Sequence, residues 1–116
     1  YTLNERLATE IKKTLINEEV PIVLAGDHSS ALGTISGIKM AYPKKRLGII
    51  WIDAHADLHT PYTTPSGNMH GMPLAVSIAE DNKENGVHEL DEISEKVIIS
   101  LSFMVNSLKY ASIKKA

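Results

Sequence analysis

Two short runs constrain this chain more than anything else in it: residues 20–24, VPIVL, and residues 46–53, RLGIIWID. Both are apolar at successive positions, the pattern of strands covered on both faces, as parallel sheets require. The residues between them read as one helix, about 30–41, with Ser29 or Ser30 as its cap and Pro43 as its stop. Gly33 and Gly37 weaken that helix locally, and their spacing leaves a smooth face to press against a sheet. Strand, helix and strand in this order predict a right-handed βαβ unit, whose parallel strands end at one edge of the sheet.

The flanking sequence extends the same plan. Leu3, Leu7, Ile11 and Leu15 recur every four residues among charged ones, predicting an amphipathic helix over about 4–17 with Asn4 as its cap. Residues 60–68, TPYTTPSGN, read as a loop with rigid corners at Pro61 and Pro65. A helix is expected over about 72–80 and a solvated linker over 81–85. Residues 96–101, KVIISL, resemble a third strand, and residues 103–115 carry a weak helical period. His88 has no expected role, and Lys109, Lys114 and Lys115 make a basic terminus suited to a helix C-terminal end. The 116 residues fit a single α/β domain. Because the chain opens on Tyr1 almost directly into a helix pattern, that domain is expected to be part of a longer protein.

Composition narrows the chemistry. Twelve Lys and Arg against 14 Asp and Glu give a net charge of -2, and no basic stripe with interleaved aromatics exists, which argues against nucleic acid as a partner. No apolar run is long enough for a membrane span, and no cationic leader precedes an apolar stretch. Cysteine is absent, so thiolate metal sites are excluded; a cytoplasmic location is expected.

The second run does not stop at its polar end. Asp53, His55 and Asp57 sit two apart, and in extended backbone such residues point to one face. The first run ends in AGDHS, which adds His28. If both strands finish at one edge, where open α/β sheets place ligands, these four residues form one metal site. Carboxylates and imidazoles without thiolates suit Mn, Zn, Fe or Ni. Asp53 has two oxygens with which to bridge two ions, and such a pair can acidify a shared water. The reaction implied is metal-assisted hydrolysis.

AGDHS, then DAHADLHTP, then TTPSGNMHGMPLA resemble the successive motifs of the arginase, or ureohydrolase, family, across about residues 20–75. The resemblance implies a three-layer α-β-α fold around a parallel sheet, incomplete in this chain, and a binuclear Mn2+ site. It implies hydrolysis of the guanidinium of L-arginine to L-ornithine and urea by a metal-bridging hydroxide, in a complete form that is a homo-oligomer. By position, His28 and Asp57 match ligands of the first metal, His55 a ligand of the second, and Asp53 the carboxylate bridging both. Ser66 and Asn68 match residues that hold the amino-acid end of the substrate, and His59 stands where arginases commonly carry a substrate-contacting Asn. His70 matches the histidine proposed as proton shuttle or general acid, the expected catalytic residue together with Asp57; an imidazole suits that role.

The family pattern also supplies two aspartates from a later strand, spaced DxD, and then a glutamate that meets the guanidinium. Nothing after His70 contains DxD, and Asp81, Asp91, Glu92 and Glu95 read as solvated surface. The isolated chain is therefore expected to bind metal weakly and turn over little or nothing, and to self-associate through a bare sheet edge. Two alternatives stand beside the arginase reading: a non-catalytic truncated remnant, and an agmatinase- or formiminoglutamase-type ureohydrolase.

Overall fold

The computed structural model describes residues 2–87. Its core is built by helix α2, Ser30–Ala41, in the predicted span. Leu32 and Ile35 are its buried centre, and Leu47, Trp51 and Val76 pack against them. Leu32, Gly33, Ile35, Ser36, Gly37 and Lys39 are all buried, as befits a helix covered on more than one side. The buried Lys39 directs its Nζ to the carbonyl of Lys45 at 2.8 Å, which ties the following turn back to the helix. Ser29 is the N-cap residue but makes no side-chain capping bond; its hydroxyl donates to the Asp27 carboxylate, and Ser30 Oγ donates to the Asp27 carbonyl.

Helix α1, Thr2–Ile16, packs along α2. Two expectations change here. Asn4 is not a cap but lies inside the helix, 8% exposed. The glycine face of α2 meets α1 rather than a sheet. A Cβ built on Gly33 would come within 2.8 Å of the Asn4 carbonyl oxygen, and one on Gly37 within 2.6 Å of both the Ala8 carbonyl oxygen and Ile11 Cβ. Such proximity selects the stripe Asn4, Ala8 and Ile11 for burial. It leaves Leu3 at 68% exposure, although the leucine period in the sequence includes it. Short side chains opposite glycines let the backbones approach; a leucine stripe could not.

The two expected strands are the main correction. Among the described residues there is no strand, and no backbone hydrogen bond involves residues 20–26 or 46–52. The segments still run as extended chain by their alternation. Pro21 and Val23 are half-buried between exposed Val20, Ile22 and Leu24, and Leu47 and Trp51 are half-buried while Ile50 and Ile52 are exposed. Period-two alternation is that of an extended backbone. One face lies toward α2; the other carries Val20, Ile22, Leu24, Ile50 and Ile52 at 84–94% exposure. A βαβ unit fixes the direction of its two strands but does not make them neighbours. Here they do not pair, and a cleft of about 710 Å³ lies between them, with α2 beneath.

Helix α3, Pro73–Ser77, is shorter than the span of 72–80 expected, with proline at its start where a missing N–H costs nothing. The 81–85 stretch contains a 3-10 turn, Lys83–Asn85, rather than plain linker. The expected third strand at 96–101, the helical period at 103–115, and His88, Asp91, Glu92 and Glu95 lie outside the described residues. No described helix is long and apolar enough to cross a membrane.

Candidate metal centre

The ends of the two extended segments meet although their bodies do not pair. His28 leaves the first segment and Asp53 the second; His28 Nδ1 lies 3.3 Å from Asp53 Oδ2 and 2.8 Å from Asp57 Oδ2. The His28 ring is stacked on Trp51, with centroids 4.8 Å apart and planes at 27°, so an apolar side chain of the second segment sets the orientation of a polar one from the first. Donor atoms of His28, Asp53 and Asp57 all fall within 4.8 Å of one another, the arrangement a cation needs.

Asp57 is held by its backbone. It has φ of 50°, a left-handed conformation that aspartate tolerates better than most residues. In that conformation its carbonyl accepts from the amides of Leu74 and Ala75, each at 3.2 Å, which occupies two N–H groups of the first turn of α3. The same twist turns the carboxylate inward, where the side chain is 6% exposed. Asp57→Ala is therefore expected to cost about 1–2 kcal/mol of folding stability from backbone strain, whereas Asp57→Gly should spare the backbone. Both should lose the carboxylate's share of cation binding. Thermal melts beside Mn2+ titrations separate the two effects.

The site has an unfilled valence. Asp57 Oδ2 is buried and has no hydrogen-bond donor; the imidazole nitrogen 2.8 Å away is at the right distance but is not aligned as a donor. A buried carboxylate oxygen without a donor is costly, and a divalent cation between it, His28 and Asp53 would satisfy all three. On that ground the residues fit a metal.

His55 stands apart from this trio. Its ring is 83% exposed, and among the described residues it reaches Asp53 alone: its backbone N–H donates to Asp53 Oδ1 at 2.8 Å, and its Nδ1 lies 3.2 Å from the same oxygen. Asp53 thus has one oxygen toward His28 and the other toward His55. The amide of His55 chiefly holds the Asp53 carboxyl below the usual carboxylate range; desolvation opposes it, and the His55 ring and the His28 charge add lesser lowering effects. Asp27 is likewise lowered, chiefly by the hydroxyl and amide of Ser29, with His70 and His28 adding less. Lowered values mean that what these charges contribute to the fold is complete above the ordinary carboxylate range and fades only as pH falls through the lowered values. Neutral solution therefore finds both ionised.

A cavity of about 900 Å³ opens on this cluster and is also lined by His59, Ser66, Asn68 and His70. The loop that carries them is self-bonded. His59 N–H donates to the Gly71 carbonyl at 3.0 Å, Thr63 and Thr64 N–H both donate to the Thr60 carbonyl, and Thr60 N–H donates to Thr63 Oγ1 at 2.9 Å. Ser66 Oγ accepts from the Asn68 amide at 3.3 Å, and Gly67 makes the turn with φ of 71°. His70 Nδ1 lies 3.9 Å from Asp27 Oδ2. Among the polar side chains lining this cavity, sequence reasoning gave no role to Asp27, Thr63, Thr64, Asn82 and Asn85. Asp27 directly precedes His28 and could have been noticed. The asparagines, joined by a 2.7 Å hydrogen bond, carry no local signal and were read as linker.

A family model for the arginase family matches residues 1–107. The chain belongs to the arginase family. It is 53% identical over 75 residues to an arginase of Bacillus subtilis, covering 65% of this chain and 25% of that one. Against an arginase of Staphylococcus aureus it is 44% identical over 96 residues, 83% of this chain and 30% of that one. Among solved structures, a crystal structure of arginase from Bacillus subtilis matches with a TM-score of 0.63 at 40% identity, over 84% of this chain and 39% of that chain. An arginase from Bacillus cereus matches at 0.65 and 36% identity, over 85% of this chain and 40% of that one. The chain thus spans about a quarter to a third of the length of the curated arginases it matches.

Proposed function

We propose that this chain supplies one side of the active site of an Mn2+-dependent, arginase-type hydrolase acting on the guanidinium of L-arginine. The observation that carries the reading is the convergence of His28, Asp53 and Asp57 on one point, with the buried Asp57 Oδ2 lacking a donor. His28, Asp53 and Asp57 would hold one cation. Asp53 Oδ1, with His55 beside it, would face a second. When bound, the cations supply the Lewis acidity that lets hydrolysis proceed at neutral pH.

The chain's own groups divide the remaining work. Ser66 and Asn68 line the same cavity and present a hydroxyl and an amide suited to a carboxylate and an ammonium group. His59 has its Nδ1 3.4 Å from Thr63 Oγ1, which leaves Nε2 to meet the carboxylate end. His70, beside the Asp27 carboxylate, would pass a proton to the departing amine. In this reading the site sits in a three-layer α-β-α enzyme with a parallel sheet, cytoplasmic and homo-oligomeric, with neither nucleic acid nor membrane as partner.

The test is a chimaera in which this chain replaces the matching stretch of the Bacillus subtilis arginase. Urea release from L-arginine, with agmatine and formiminoglutamate turned over more slowly, is expected. Preference for either of the other two would overturn the arginine reading in favour of that ureohydrolase. The 116-residue chain alone should bind Mn2+ and release no urea. A second reading is a remnant without activity of its own, and a Mn2+-loaded chimaera that hydrolyses none of the three substrates would support it.

A further inference from the structure

One wall of the cavity beside the cation cluster is made by a pair of asparagines, Asn82 and Asn85. Their side chains are tied together: Asn85 Nδ2 donates to Asn82 Oδ1 at 2.7 Å. An asparagine amide carries one acceptor oxygen and two N–H groups. The bond takes up the oxygen of Asn82, fixes the plane of its amide and leaves both of its N–H groups for a ligand. The turn that presents them is braced. Asn82 N–H donates to Glu80 Oε1 and Asn85 N–H to the Asn82 carbonyl, each at 3.1 Å. Asn82 itself is left-handed, a conformation asparagine tolerates. Beyond it, Val87 N–H donates to the Tyr62 carbonyl at 2.8 Å, and Lys83 Nζ lies 5.3 Å from the centre of the Tyr62 ring. Tyr62 is buried in the loop that leads to Ser66 and Asn68. The asparagine wall is thus clamped to the loop that carries the expected substrate contacts.

We infer that Asn82, oriented by Asn85, is a specificity contact for the α-carboxylate of the substrate, an inference that rests on the arginine reading above. Charge carries the argument. Asp27, Asp53 and Asp57 line the cavity, and among the described residues no lysine or arginine does. A cationic guanidinium is drawn to those carboxylates. An α-carboxylate meets no permanent cation in the lining, so neutral donors must hold it. Asn82 offers two of them at one point. They are fixed before the ligand arrives, which lowers the ordering cost of binding.

The test uses the Mn2+-loaded chimaera described above. Calorimetric titration with L-ornithine, which has the amino-acid end, and with putrescine, which lacks the carboxylate, reads binding without turnover. Asn82→Gly removes the amide and keeps the left-handed turn. It should weaken ornithine roughly ten- to a hundredfold, the loss expected when a hydrogen bond to a charged group is removed, and leave putrescine little changed. Asn82→Asp keeps an oxygen for Asn85 but sets negative charge against the carboxylate, so the preference for ornithine should fall further. Asn85→Ala frees the Asn82 amide to rotate and should lower the same preference by less. In turnover, the ratio of kcat/KM for L-arginine to that for agmatine should fall in the same order. Equal weakening of both ligands, or unchanged ornithine binding, would overturn the inference. So would a parent chimaera that binds ornithine no better than putrescine. A chimaera that releases urea and gives one of those results sinks this inference alone. One that releases none, yet loses ornithine on Asn82→Gly, sinks only the hydrolase reading.

Discussion

Gly37→Ala is expected to destabilise the α1–α2 pair by about 2 kcal/mol or more, at the upper end of what overpacking costs. Helix propensity works in the opposite direction, because alanine is favoured over glycine inside a helix by about 1 kcal/mol. Geometry decides between them. The new Cβ would lie 2.6 Å from the Ala8 carbonyl oxygen and 2.6 Å from Ile11 Cβ; one is backbone and the other is anchored to it, so no side-chain rotation gives relief. The helices must separate, and contact is lost along Asn4, Ala8 and Ile11. For a chain this small, each kcal/mol lowers the melting temperature by roughly 4–8 °C. Gly48→Ala is the control: nothing lies within 4 Å of its Cβ position, so stability should change by no more than about 0.5 kcal/mol. A Gly37→Ala variant with a higher melting point than the parent would show that propensity, not contact, governs this crossing.

The second large effect concerns the cation. His28→Ala and Asp53→Asn should each weaken Mn2+ binding by more than the roughly 10–100-fold that follows loss of a group merely supporting a ligand. They fail for different reasons. His28→Ala removes a nitrogen donor and the stacking partner of Trp51. Asp53→Asn keeps an oxygen to accept the His55 amide bond but discards the negative charge. Trp51 is the single tryptophan of the chain and its ring sits 4.8 Å from that of His28, so its emission should be quenched by paramagnetic Mn2+ in the parent. Quenching should persist in Asp53→Asn only at much higher metal concentration. Unchanged titration curves in both variants would mean that these side chains do not hold the ion.

Much of this arrangement was legible in the residues. The α2 span was readable because Ser29, Ser30 and Pro43 punctuate an apolar helical stretch. The meeting of His28 with Asp53 and Asp57 was readable because consecutive parallel segments finish at one end, and that holds whether or not they are neighbours. Adjacency itself was not legible: a βαβ pattern states direction and hand, and cannot say whether its two strands are neighbours. The buried stripe of α1 was missed for a related reason. Leucine periodicity marks an apolar face, but the face chosen is the one that clears Gly33 and Gly37, and that contact joins residues some thirty positions apart. Asn4 looked like a cap because its type favours caps, while tertiary contact took it into the interior. Asn82 and Asn85 reach the cavity through a left-handed turn at Asn82, φ 48°, and such a turn leaves no periodic trace.

The outer face of the extended segments has a consequence for handling the polypeptide. Five branched aliphatic side chains stand there in water, beside backbone edges that make no backbone hydrogen bond among the described residues. Those are the ingredients of open-ended cross-β stacking between molecules. The upper limit on usable protein concentration would then be colloidal, set by encounters between chains long before any helix melts, and a single lysine in place of Ile50 or Ile52 should raise it without touching the cation cluster.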